Sequence, residues 1–175
     1  GKITNDRCMR KIEIDESSFA YEVSRNVDYK ECYEVGPFNQ GISMKNCLEL
    51  FFANPRWIDW LYKIRSVLVK PFGLSADTYY AEPNADIKKG DKCGFLQVLE
   101  YTENEILLFG TDKHLEAWSS VYCKPFVNRL YVIKCSTMVL YHNLLGRVYF
   151  ALIRPFHYLV VCSLLQRIQK KENLL

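Results

Sequence analysis

No two of the seven cysteines are spaced as C-x-x-C; they stand at positions 8, 32, 47, 93, 123, 135 and 162. A zinc site needs paired ligands at short spacing, and a secreted disulfide framework is usually even-numbered and dense. Neither pattern is here. Cys123, Cys135 and Cys162 lie inside apolar runs, where a thiol serves as a small hydrophobe. All seven therefore read as reduced, and a cytoplasmic location is expected. Histidine is equally sparse: His114, His142 and His157 are too dispersed for a metal site, and no H-E-x-x-H occurs. The eight glycines are isolated, with neither G-x-G-x-x-G nor a P-loop. No metal and no cofactor are expected.

An excess of one charge sign is also lacking. The net charge is +3, and the basic residues are scattered except for Arg167, Lys170 and Lys171. That is not a nucleic-acid footprint. The first residues, "GKITNDRCMRK", are polar, so no secretory leader is expected. The most apolar stretch, "VYFALIRPFHYLVVCSLL", is interrupted by Arg154, Pro155 and His157. A span needs about 20 mostly uncharged apolar residues. The stretch reads as a core helix rather than an integral membrane segment, with a surface-lying helix as the alternative.

What the chain does have is apolar material: 49% hydrophobic residues over 175 positions, enough for one core in a single domain over 1–175. "RKIEID" and "VDYKECYEV" alternate as strands do, the second ending before Gly36-Pro37. Ser43 can cap a short helix, "MKNCLELFF". Asn54-Pro55 opens another, with Trp57, Trp60, Leu61, Ile64 and Leu68 in one stripe. A long polar loop covers Ser75 to Lys92. Then come "CGFLQVLEYT" and "NEILLFG", a hairpin by their spacing, followed by "KHLEAWSSVYC" and "RLYVIKCSTMVLY". Asn143 can cap a last helical region, which Pro155 kinks or restarts; beyond it Phe156, Leu159, Val160, Leu164 and Ile168 form a stripe. Four consecutive strands and then an apolar helix indicate an α+β domain with an antiparallel sheet, the helix lying on one face.

The densest polar chemistry is "LLFGTDKHLEAWSSVYC", residues 107 to 123. Strand alternation puts His114, Glu116, Trp118, Ser120 and Tyr122 on one face and Leu115, Ala117, Ser119, Val121 and Cys123 on the other. Either Leu115, Ala117 and Val121 pack on the helix and the polar row faces water, or the polar row lines a cavity with Trp118 and Tyr122 as walls and His114 and Glu116 at its mouth. In the last helix, Tyr149 and His157 are eight residues apart, with Pro155 between them disturbing their alignment.

Three stretches carry a resemblance: "NPRWIDWLYKIRSVLVKPFGL", "GDKCGFLQVLEYTENEILLFGTDKHL" and "HNLLGRVYFALIRPFHYLVVCSLLQRI". Together they resemble domain-of-unknown-function family 2867, from about residue 30 onward, within the wider START/Bet v 1-like group. The D-K-H-L and G-R-x-Y…P-F-H stretches are its most specific parts. The resemblance implies a helix-grip fold, a curved antiparallel sheet wrapped around a long C-terminal helix, with an apolar cavity between them. Relatives in the wider group bind lipids, hormones or polyketide-like molecules, and a few are cyclases or dehydratases. Trp118 stands where the resemblance leads one to expect Arg, so an ion pair made by that Arg is lost.

The leading expectation is a module binding a small apolar molecule between sheet and last helix, with His114, Glu116, Trp118, Tyr122, Tyr149 and His157 as ligand-binding residues. The alternatives are a cyclase- or dehydratase-type enzyme using His114 or Glu116 as acid or base, and a non-catalytic protein-interaction domain, with a homodimer among its forms.

Overall fold

The computed structural model describes residues 9–38, 44–52, 63–64, 66–67, 70–72, 87–93, 96–125 and 130–172. The elements are β1 (Arg10–Lys11), α1 (Ala20–Ser24), β2 (Tyr29–Phe38), α2 (Met44–Phe52), β3 (Lys92–Cys93), β4 (Leu96–Tyr101), β5 (Glu105–Thr111), β6 (Leu115–Pro125), β7 (Tyr131–Tyr141) and α3 (Leu144–Glu172), with a 3-10 turn at Lys70–Phe72. The seven strands form one sheet in the order β1-β2-β7-β6-β5-β4-β3, every described pair antiparallel. The sheet curves around α3 in a helix-grip architecture.

Most of this order is legible in the residues. The β4–β5 hairpin, β6 and β7 fall on the four alternating stretches, and α2 coincides with "MKNCLELFF". Three differences stand out. β1 is two residues, Arg10 and Lys11, paired with β2, and the following Ile12 N–H donates to the Cys32 carbonyl of β2 at 2.9 Å. β2 does not stop at Gly36-Pro37, where the bond is cis and Gly36 has φ 122°; it runs on to Phe38 past a register shift. α3 runs unbroken through Pro155. The cap proposed for Ser43, most of the helix opening at Asn54 and most of the loop from Ser75 lie outside the described residues.

The sheet is covered on both faces. On one, Val35, Ile106, Leu108, Val121, Cys123, Ile133 and Cys135 pack with Met44 and Cys47 of α2 and with Val161, Leu164, Leu165 and Ile168 of α3. Nearer the start of α3, Leu115 and Val139 pack with Tyr149 and Phe150. On the opposite face, Leu107 and Met138 take up Ala20 of α1, with Ile14, Val23, Val27 and Trp118 around them. That face is therefore occupied by the N-terminal segment, an arrangement the strand pattern alone did not indicate.

α3 is positioned at its first turn. The Asn143 side chain accepts a hydrogen bond from the Gly146 N–H at 2.9 Å, as an N-cap does. Its amide donates to the Lys113 carbonyl and faces His114 Nδ1 at 3.2 Å. Gly146 lies so close to the β5–β6 turn that a Cβ there would be 2.0 Å from the His114 carbonyl oxygen. Only glycine allows that approach.

Candidate functional site between the sheet and the C-terminal helix

The D-K-H-L stretch is the tie between a turn and this helix start. Asp112 Oδ1 accepts from the backbone N–H of His114 at 2.6 Å and of Leu115 at 3.2 Å, which closes the turn between β5 and β6. His114 is buried. Because Asn143 Oδ1 is taken by Gly146, its NH2 must face the His114 ring, so Nδ1 is the acceptor and the ring is held in one tautomer. Leu115 follows into the cluster with Tyr149 and Phe150.

Of the six residues expected to bind ligand, three lie on the wrong side for a pocket beside α3. Glu116, Trp118 and Tyr122 share the face that carries Met138 and Leu107, away from the helix. Trp118 stacks beside Phe109 at 5.1 Å between centroids, and Tyr122 OH meets Ser17 Oγ at 3.0 Å. Glu116 lies 3.4 Å from His142. The first of the two face assignments holds only in part: Leu115, Ala117 and Val121 face the helix, but the opposite row does not face water, since Ser120 is 1% exposed and Trp118 packs in the cluster around Ala20. His114 Nδ1 faces the Asn143 amide, whereas Glu116 faces His142. Tyr149 and His157 do sit on the sheet side of α3, and the helix continues through Pro155 rather than parting them.

His157 leads to a group of residues that the strand pattern did not single out. Between the two apolar clusters along α3 lies a polar interval. Its members are Glu31 on β2, Thr137 on β7 and His157. Thr137 Oγ1 is 2.8 Å from His157 Nε2. Glu31 is 6% exposed, and its Oε2 accepts from Tyr29 OH at 2.6 Å and from Tyr33 OH at 3.3 Å. Among the described residues its Oε1 has no hydrogen-bond partner, although it is shut off from solvent. The nearest cationic candidate, His157 Nε2, is 3.6 Å away, beyond hydrogen-bond length. An unpaired buried acceptor costs about 1–3 kcal/mol.

Protonation follows from burial. Burial lowers the His157 pKa, and the neighbouring Glu31 charge, which pulls upward, does not reverse it. At neutral pH the ring is uncharged, so the Glu31–His157 contact is not an ion pair. Burial first, then Glu31, pushes the Tyr33 phenol up to about 12 and raises Tyr29 too, so both remain donors. Thr137 and Glu31 both approach the same nitrogen of His157. A hydroxyl nucleophile is activated by a base whose other nitrogen is held by the acid. The arrangement therefore suits holding a ligand better than attacking one. Among the described residues, no group of three His, Cys, Asp or Glu side chains is placed to hold a metal ion.

Several residues bordering the interval are only half-buried. Ala117 and Ser119 belong to β6, an interior strand, and face the helix side, yet both are only half-buried. His157 keeps 27% of its side chain exposed. Ile153, Phe156 and Val160 of α3 are likewise half-buried.

The sequence signal for Glu31 was present in "YKECYEV": a carboxylate alternating with Tyr29, Tyr33 and Val35 on a face that is otherwise apolar. No curated protein and no solved structure matches the chain significantly. A family model described as "Protein of unknown function (DUF2867)" matches residues 23–164, which takes in the D-K-H-L turn, the Gly146 contact and the Glu31–Thr137–His157 interval, and the chain belongs to that family.

Proposed function

We propose that this domain binds a small, largely apolar molecule in the interval between the helix-facing side of the sheet and α3. Glu31 Oε1 takes a hydrogen-bond donor of that molecule. The single observation behind this reading is the unpartnered, buried carboxylate oxygen between two apolar clusters. Binding sites are mostly apolar with a few convergent polar groups, and this interval has that composition. Apolar contact would supply roughly 25 cal/mol per Å² buried. Glu31, Thr137 and His157 would fix orientation, replacing the anchoring role first expected of His114 and Glu116.

The test uses N-phenylnaphthylamine, an apolar fluorophore with one N–H donor. Its emission is expected to rise on adding the protein. A hydrogen bond to a charged group contributes about 1.5–3 kcal/mol, so Glu31→Gln should weaken binding at least about tenfold. Native mass spectrometry of protein taken from cell extract should show a bound small molecule on the wild type and less on Glu31→Gln. Absence of both emission change and bound mass would overturn the reading. Equal affinity of the two proteins would remove Glu31 from it.

A further inference from the structure

α3 carries a second apolar side, and it is turned outward. Leu144 is 73% exposed, and Val148, Leu152 and Leu159 are 44%, 45% and 46% exposed. Their spacing of 4, 4 and 7 places them in one line, continued by the exposed Pro155. At 1.5 Å per residue the line is about 22 Å long. Of the expected stripe, Leu164 and Ile168 bury against the sheet, joined by Val161 and Leu165, whereas Leu159 is exposed. A surface helix of a globular domain ordinarily shows polar residues to water. This one is apolar on both sides over four turns.

Charge indicates what covers it. From Leu144 to Lys170 the helix contains Arg147, Arg154, Arg167 and Lys170 and no acidic residue. Arg147 and Arg154 are exposed, two turns apart, on one flank of the apolar line. Each guanidinium is held over an aromatic ring at 5.3 Å, Tyr141 and Tyr29 respectively. Among the described residues neither has a carboxylate partner. A row of leucines with cations fixed along one edge matches a layer of acyl chains under anionic phosphates.

A second copy of the chain fits less well. Pairing two such faces would set arginines along the join with no acid between Leu144 and Lys170 to meet them. Full insertion fits less well again. The segment Leu144–Ile168 has the length of a span and contains an 18-residue window with a mean hydropathy of 1.6, but a third of that window is buried within the domain. Crossing a bilayer would strip Val161, Leu164, Leu165 and Ile168 from the core they share with the sheet.

We propose that the outward face of α3 is a membrane-docking surface, on which the folded domain lies against an anionic lipid bilayer. The helix lies in the plane of the headgroups, with Leu144, Val148, Leu152 and Leu159 entering the acyl boundary and Arg147 and Arg154 meeting lipid phosphates. This surface is independent of the Glu31 interval on the opposite side of the helix.

The test is flotation of the full chain with vesicles of phosphatidylcholine alone and of phosphatidylcholine mixed with phosphatidylserine. Flotation is expected with the anionic vesicles only. Replacing one arginine, Arg147→Gln or Arg154→Gln, should weaken it about fivefold, the equivalent of about 1 kcal/mol per basic residue. Val148→Glu with Leu152→Glu should abolish it, and because both positions are exposed the thermal midpoint should not change. Should that pair disturb folding, Leu159→Glu provides the same readout from a separate turn. Failure to float with either lipid overturns the proposal. So does flotation that survives the glutamate substitutions. A concentration-dependent dimer that Leu152→Glu dissociates, without vesicle binding, overturns it in favour of self-association.

Discussion

At Gly146 a missing side chain decides how a helix meets a turn. Alanine would ordinarily favour the helix by up to about 1 kcal/mol. Here its Cβ would lie 2.0 Å from the His114 carbonyl oxygen and 2.8 Å from its carbon. Both atoms are backbone, so α3 or the turn must move. Overpacking costs about 1–3 kcal/mol, and moving the helix start also loosens the Asn143 cap, worth about 1 kcal/mol. Gly146→Ala is therefore expected to lower stability by about 2–3 kcal/mol, a drop of roughly 5–10 °C in Tm for a domain this size. A melting curve at or above the wild type would refute the contact. The same residues show what the sequence could convey. The crowding of Asp112, His114 and Glu116 was visible. That Asp112 would spend its carboxylate on two backbone amides, and His114 its ring on a helix cap, depends on a contact 29 residues away. Alternation divided β6 correctly into two faces. It could not say which face meets α3, since both are apolar enough to be covered.

Elements show a parallel division. The strands and α2 were legible because each alternates or repeats at its own period. The N-terminal segment was not, because it is anchored by a side chain rather than by periodicity. Glu105, 3% exposed at the start of β5, accepts hydrogen bonds from Ser18 Oγ, the Phe19 N–H and Ser120 Oγ. Ser18 Oγ in turn accepts from the Ala20 N–H, which fixes the start of α1. One carboxylate thus joins α1, β5 and β6. Glu105→Ala would leave several buried donors unpaired, each costing about 1–3 kcal/mol, for a total of about 3–5 kcal/mol. The loss should be local first. Hydrogen exchange at residues 18–27 should accelerate more than in β6 and β7, and the exposed turn at Arg25 should become a tryptic site. Uniform acceleration over the sheet would show that the segment is not separately anchored.

The whole molecule brings together two protonation events on opposite faces of the sheet, and they fix its response to acid. On the helix side, the His157 pKa is held below 6.5 by burial. The unfolded chain then takes up a proton on this residue before the folded one does, so stability falls as pH drops below about 6.5 and does not change above it. On the other face, Asp15 joins the N-terminal segment to Lys124 of β6 and Lys134 of β7, the latter at 2.9 Å and also 3.5 Å from Glu34. Burial alone would raise the Asp15 pKa; its hydrogen bonds to Lys124, Ser17 and Lys134 outweigh that and hold it well below 3.8. Its contribution is complete above pH 3.8 and is lost as pH falls below that value toward the depressed one. The urea midpoint should therefore be flat at neutral pH and decline in two stages. His157→Gln should remove the upper stage and leave the lower. Asp15→Asn should lower the midpoint at neutral pH and remove the lower stage. If His157→Gln kept the full upper decline, the neutral, half-buried ring in the Glu31 interval would be the wrong description of this site.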